Sequence, residues 1–217
     1  MSLDVKITKR FDGFTLRTEF TAGNTTAAIL GASGCGKSMT LRCIAGIVRP
    51  DSGRIVLDGR VLFDSEQGID LPPQQRNVGL LFQNYALFPN MTVEQNILCA
   101  LKKEKDTAVR KAACAEALRA MRLEELAHRL PSELSGGQQQ RVAIARVLAA
   151  EPSIILADEP TGNLDSSSGA EIMGIIKGLH QAGNTIVLIT HDSSVAGQAQ
   201  RKVYVHDGIL TEREART

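Results

Sequence analysis

Gly31-Ala32-Ser33-Gly34-Cys35-Gly36-Lys37-Ser38 satisfies the pattern GxxxxGK[ST] at every defined position. Thr26-Ala27-Ala28-Ile29-Leu30 precedes it as a short apolar run with strand character. Met39, Leu41, Cys43, Ile44 and Ile47 follow at helical spacing and stop near Arg49-Pro50. Strand, glycine loop and helix form the context the motif needs. Glycines let successive N–H groups converge on phosphate oxygens, while a helix N-terminus adds partial positive charge. Lys37 is expected to neutralise the β- and γ-phosphates of ATP, and the Ser38 hydroxyl to ligate Mg²⁺. Gly31, Ala32, Ser33, Gly34, Cys35, Gly36 and Met39 complete the expected nucleotide contacts.

Outward from this loop, Ile154-Ile155-Leu156-Ala157-Asp158-Glu159 is a buried-strand pattern ending in two carboxylates. Asp158 would then lie at the carboxyl edge of the sheet, where open α/β folds bind ligands, within reach of the metal. Glu159 is placed to orient or deprotonate an attacking water. Thr185–Thr190 is another continuous apolar run. Uninterrupted Val, Ile and Leu imply strands covered on both faces, as in the parallel sheet of an α/β protein. Turns are expected at Asp12-Gly13, Asp51-Ser52-Gly53 and Asp58-Gly59, and helices over Lys105–His128, Gln138–Ala150 and Ala170–Gln181.

With 217 residues the chain has room for one sizeable domain, read as spanning 1–217. A net charge of +1 argues against a nucleic-acid partner. No stretch approaches the ~20 apolar residues of a membrane span, and the N-terminus lacks a signal-peptide core. Cys35, Cys43, Cys99 and Cys114 are scattered without metal-ligand spacing, as expected of reduced thiols inside a cell.

Leu134-Ser135-Gly136-Gly137-Gln138, followed by Gln139-Gln140-Arg141-Val142-Ala143-Ile144-Ala145-Arg146, suggests a second anion site at a helix start. One ATP has a single γ-phosphate, so the second site is read as facing an ATP held by another subunit. This stretch resembles the signature motif of ABC ATPases, and the resemblance covers essentially the whole chain. Gln83 falls where that family has its Q-loop glutamine, which senses metal and water. His191 resembles the switch histidine that contacts the γ-phosphate. Gly162-Asn163-Leu164-Asp165 resembles the D-loop, with Asp165 the expected contact between subunits.

The resemblance implies a P-loop NTPase (RecA-like) core, an antiparallel β-subdomain, and a helical signature subdomain from about 85 to 150. It also implies an aromatic residue on adenine: Phe11, with Phe14 as competitor. Two copies would close on two ATP molecules, Ser135, Gly136, Gly137 and Gln138 of one facing the loop of the other. The expected partners are a second copy, transmembrane permease subunits and, for an importer, an extracytoplasmic substrate-binding protein. The expected location is cytoplasmic, on the inner face of the membrane. Asp70–Arg76 and Phe82–Pro89 resemble importers of molybdate, sulfate and related oxyanions, whereas Ala157–Asp165 looks more like lipoprotein-release and export ATPases. A motor partnered with membrane proteins that transport nothing stands as a further alternative. Many importer ATPases carry a C-terminal regulatory domain; with the sequence ending at Thr217, that layer is expected to be absent or truncated.

Overall fold

Two tight turns organise the N-terminal strands of the computed structural model, which describes residues 2–211 apart from 33, 103 and 207. Asp12-Gly13 joins β1 (Leu3–Phe11) to β2 (Phe14–Ala22) in antiparallel register, Phe11 opposite Phe14. Leu3, Val5 and Ile7 are buried while Asp4 and Lys6 are exposed, the alternation of a strand with one wet face. β3 (Thr26–Gly31) leads into the glycine loop, and α1 (Lys37–Ile44) leaves it. β4 (Ser52–Leu57) and β5 (Arg60–Asp64) form a second hairpin across Asp58-Gly59, whose φ values of 49 and 76 suit a two-residue loop of type I′. β6 (Ile69–Asp70), α2 (Pro73–Arg76) and β7 (Val78–Leu81) follow.

Next come three helices, α3 (Val93–Leu98), α4 (Thr107–Ala120) and α5 (Gly136–Ala149). β8 (Ile154–Asp158), α6 (Ser166–Gln181), β9 (Thr185–Ile189), α7 (Ser193–Ala196), β10 (Arg201–His206) and β11 (Ile209–Thr211) complete the described chain. Among the described residues, eleven strands form one sheet in the order β6-β5-β4-β1-β2-β11-β10-β3-β9-β8-β7. β10, β3, β9 and β8 pair in parallel, whereas β1, β2, β4, β5 and β6 pair antiparallel. Every residue of β8 and β9 is buried, as their apolar runs predict.

The chain divides into two compact units: Met1–Leu80 with Ser153–Glu159 and Lys177–Thr217, and Leu81–Pro152 with Pro160–Ile176. In the first, Leu41, Cys43 and Ile44 of α1 join Val5, Ile29, Leu156 and Val187 in one apolar core. Burial of its thiol pushes Cys43 up to about 11, so it packs as a small apolar group. In the second, α3, α4 and α5 pack on one another around Val93, Ile97, Leu118 and Val142. No helix among the described residues is long and apolar enough to cross a membrane.

Three local expectations need correction. The helix after the loop ends at Ile44, not Ile47, because Gly46 turns left-handed (φ 79) and the Ile47 and Val48 amides fold back onto the Arg42 carbonyl. The turn expected at Asp51-Ser52-Gly53 is mostly strand, since Ser52 and Gly53 open β4 opposite Thr8 and Ile7. The helix expected over Lys105–His128 is capped by Asp106 and stops at Ala120. Arg122 is left-handed (φ 53), and a short 3₁₀ turn at Glu124–Leu126 replaces the rest.

Candidate functional site

The loop from Gly31 to Lys37 crosses the carboxyl end of β3, beside the ends of β8 and β9. Gly36 immediately precedes α1 with φ 99, and a Cβ there would lie 2.8 Å from Leu16 Cδ1 and 3.1 Å from Phe14 Cζ. Only glycine provides both the left-handed turn and the close approach. The first turn of α1 has neither a side-chain cap nor an acidic residue. Its amides are therefore left for an anion, favoured by the helix dipole. Lys37 is buried, and its ammonium donates to the carbonyls of Gly31 and Ala32, 2.8 Å each. Cys35 and Met39 pack partly against the core, and the Cys35 amide donates to the Ala32 carbonyl at 3.4 Å. Ser33 lies outside the described residues.

Ser38 Oγ donates to Asp158 Oδ1 at 2.8 Å. Burial raises the Asp158 carboxyl above the usual range, and the Ser38 bond opposes that shift. A hydroxyl and a carboxylate are hard oxygen donors suited to Mg²⁺, which keeps most of its ligands as water and phosphate.

Glu159, the next residue, is left-handed at φ 50, and its amide donates to the Ile189 carbonyl at 3.0 Å. Its Oε1 lies 2.9 Å from His191 Nδ1. The two site residues that the sequence places 32 positions apart therefore meet directly. The Glu159 side chain is 12% exposed and that of His191 69%, leaving the imidazole open toward a ligand.

A cleft of about 610 Å³ beside the loop is lined by Gly13, Phe14, Ala32, Gly34, Cys35 and Ile209, among others. Phe14 is in that lining and Phe11 is not. The two rings stack at 6.0 Å between centroids, with Phe11 more exposed.

The remaining candidates belong to the second unit. Ser135 caps α5: its Oγ accepts from the Gln138 amide, and Gln138 Oε1 accepts from the Ser135 amide. Gln138, read from sequence as a nucleotide contact, thus also serves its own helix. A Cβ on Gly136 would meet Leu164 and the Tyr85 hydroxyl at 3.3 Å, and one on Gly137 would meet Ser168 at 3.2 Å. Gln83 is exposed, and its carbonyl accepts from Asn163 Nδ2 at 2.8 Å. Asp165 is exposed and caps α6. Its oxygens accept from the amides and hydroxyls of Ser167 and Ser168, which hold the carboxyl below the usual range.

Sequence reasoning missed two polar clamps here. Arg146 of α5 donates to the carbonyls of Ala86 (2.7 Å) and Tyr85 (3.0 Å), and its guanidinium lies 5.9 Å from the Phe88 ring centroid. Tyr85 and Ala86 are both left-handed, at φ 60 and 49. Fully buried Asn96 holds the backbone amide and carbonyl of Phe88. An asparagine inside an amphipathic helix is the only sequence signal for this.

Comparison with known proteins agrees with this geometry. The family model described as ABC transporter matches residues 15–162. A probable sulfate/thiosulfate import ATP-binding protein CysA from Chlorella vulgaris is 41% identical over 95% of this chain and 87% of its own length. The Fe(3+) ions import ATP-binding protein FbpC of Brucella melitensis is 42% identical, and the macrolide export ATP-binding/permease protein MacB of Pectobacterium atrosepticum 40%. The chain spans 57% of the former's length and 29% of the latter's. The dimeric structure of MJ0796, a bacterial ABC transporter cassette, superposes with a TM-score of 0.82 at 33% identity, each chain covered in full. A dimeric post-hydrolysis state of MJ0796 bound to ADP and Pi gives 0.81. With a P-loop core, antiparallel strands and a capped signature helix in place, this chain belongs to the ABC transporter family.

Proposed function

We propose that the chain is an ATP-binding and ATP-hydrolysing domain that energises solute import through separate transmembrane permease subunits, at the cytoplasmic face of the membrane. The meeting of Ser38 with Asp158, and of Glu159 with His191, at the end of the phosphate loop carries this reading. Residues 1–217 act as one such domain, the helical part lying at about 85–150.

The loop amides and Lys37 bind the ATP phosphates; Ser38 and Asp158 would hold Mg²⁺, with Gln83 as the further ligand that the family resemblance implies, and the ion would supply charge neutralisation. Glu159 accepts the proton of the attacking water. With its Nδ1 protonated, His191 donates to that carboxylate and fixes its direction, while its other face meets the γ-phosphate. Phe14 is the favoured support for adenine, with Phe11 stacked on it. Ser135, Gly136, Gly137 and Gln138 of a second copy complete each site, and Asp165 lies at the contact between copies; the dimeric form named for the similar cassettes supports this. The surface around Gln83 to Asn90 docks the permease.

Import is favoured by the names of several relatives, whose cargoes include sulfate/thiosulfate, Fe(3+), spermidine/putrescine and molybdenum. An oxyanion cargo and a substrate-binding protein go with that reading. Export is the second reading, favoured by the likeness to MacB. Glu159→Gln tests the core of the proposal. It should bind ATP, elute as a nucleotide-dependent dimer, and lose nearly all hydrolysis. Turnover near wild type with only monomer present would refute the role given to Glu159.

A further inference from the structure

The chain leaves the first unit at Glu159 and enters the second at Pro160. Gln140 of α5 belongs to the second unit, as does Pro160. It is 1% exposed, and its Nε2 donates to the Pro160 carbonyl at 2.9 Å. A carbonyl can only accept, so the amide must present its nitrogen there. Its Oε1 is buried with no hydrogen-bond partner among the described residues. A buried amide with half its capacity unused is a poor device for stability, because an apolar side chain of the same size would avoid the desolvation cost. The bond to Pro160 remains as the reason for a glutamine at this position.

We infer that Gln140 is a positioning residue for hydrolysis: it ties the signature helix to the peptide that follows Glu159. The inference rests on the proposed role of Glu159. That residue is held on its N-terminal side by its own amide on Ile189, in a left-handed conformation that a glutamate adopts only under constraint. Anchoring the Pro160 carbonyl constrains the other side of the same residue. The aim of the carboxylate therefore depends on α5, the helix whose own N-terminus is the signature motif. Displacing a reacting group by about 1 Å can cost on the order of a hundredfold in rate.

The test is Gln140→Met, which keeps length and volume but cannot donate. With MgATP the variant should lose about tenfold to a hundredfold in kcat, with KM for ATP within about twofold. The same change made in a Glu159→Gln background should leave the ATP-dependent dimer intact by gel filtration, because the group being aimed has already been disabled. A kcat within about twofold of wild type overturns the inference, as does loss of the ATP-dependent dimer in the double variant, which marks a general structural role. If Gln140→Met does not fold, Gln140→Leu, smaller and likewise unable to donate, is judged by the same two measurements. Glu159→Gln alone separates the two ideas: if it turns over normally, the reading of Glu159 fails first; if it is inactive while Gln140→Met is normal, only the inference fails.

Discussion

Arg76 offers the most direct link between the fold and the nucleotide loop. Its side chain is fully buried, and it donates from Nε to the Leu71 carbonyl (2.7 Å) and from Nη1 to the carbonyls of Cys43 (2.8 Å) and Ile44 (3.0 Å). Nη2 meets Asp70 Oδ1 at 2.9 Å. Burial lowers the guanidinium's pKa and Asp70 opposes the shift, so the group stays charged. It thus closes the C-terminal end of α1, whose other end is Lys37. In Arg76→Ala the Cys43 carbonyl keeps the Gly46 amide at 3.1 Å, but the Ile44 and Leu71 carbonyls lose a charged donor. Each such bond contributes about 1.5–3 kcal/mol, and Asp70, partly exposed, recovers water at small cost. The loss should be about 3–5 kcal/mol, or a fall in Tm of about 10 °C for a chain of this size. Arg76→Lys should recover at most about half, because one ammonium cannot reach three carbonyls in a planar fork. Gly46→Ala provides an independent check, since its Cβ would sit 2.5 Å from Arg76 Nε at φ 79. Its cost should shrink when Arg76 is already alanine. Calorimetry reads all four proteins. If Arg76→Ala melts within about 2 °C of wild type, the clamp does not hold α1.

Two further outcomes follow from the site. Asp158 has a folded-state pKa raised by burial, so its ionised form costs stability; that cost is absent below the unfolded value of about 3.9 and complete once pH has risen past the folded one. Asp158→Asn should therefore raise the Tm of the ligand-free protein at neutral pH, the gain fading toward pH 4, while added MgATP stabilises it less than wild type; thermal shift across pH measures both. Phe14→Ala should weaken ATP binding more than Phe11→Ala, and a fluorescent ATP analogue titrated into each variant reverses the assignment if the order is opposite.

The parts of the molecule legible in the sequence are those encoded by local patterns. GxxxxGK[ST] gives its loop, the apolar runs at Ile154 and Thr185 give parallel strands, and Asp12-Gly13 and Asp58-Gly59 give their hairpins. Helix ends were harder to place. No propensity distinguishes Ile47 or Arg122 from a continuing helix; a left-handed residue and tertiary packing make that choice. The placement of Ser38, Asp158, Glu159 and His191 is legible because each follows a recognisable strand or glycine loop. Gln140, Arg146, Asn96 and Arg76 were not, since a buried polar side chain is identified by the carbonyl it reaches, and those carbonyls lie elsewhere in the chain. Phe11 and Phe14 are hard to separate in sequence for a related reason: two aromatics three residues apart, flanking a turn, differ only in which one lines the cleft.

The clamp on Tyr85 and Ala86 bears on how a membrane partner would be recognised. Two consecutive left-handed residues are costly to hold, about 1 kcal/mol or more each, and a segment free to relax would not keep them. Arg146 holds their carbonyls and Asn96 the backbone of Phe88, so Phe88, nearly half exposed, stands on a scaffold whose ordering was completed during folding. Little chain entropy is left for an incoming helix to remove. In the docking role proposed above, such a surface would select by shape, rejecting a poor fit instead of moulding to it.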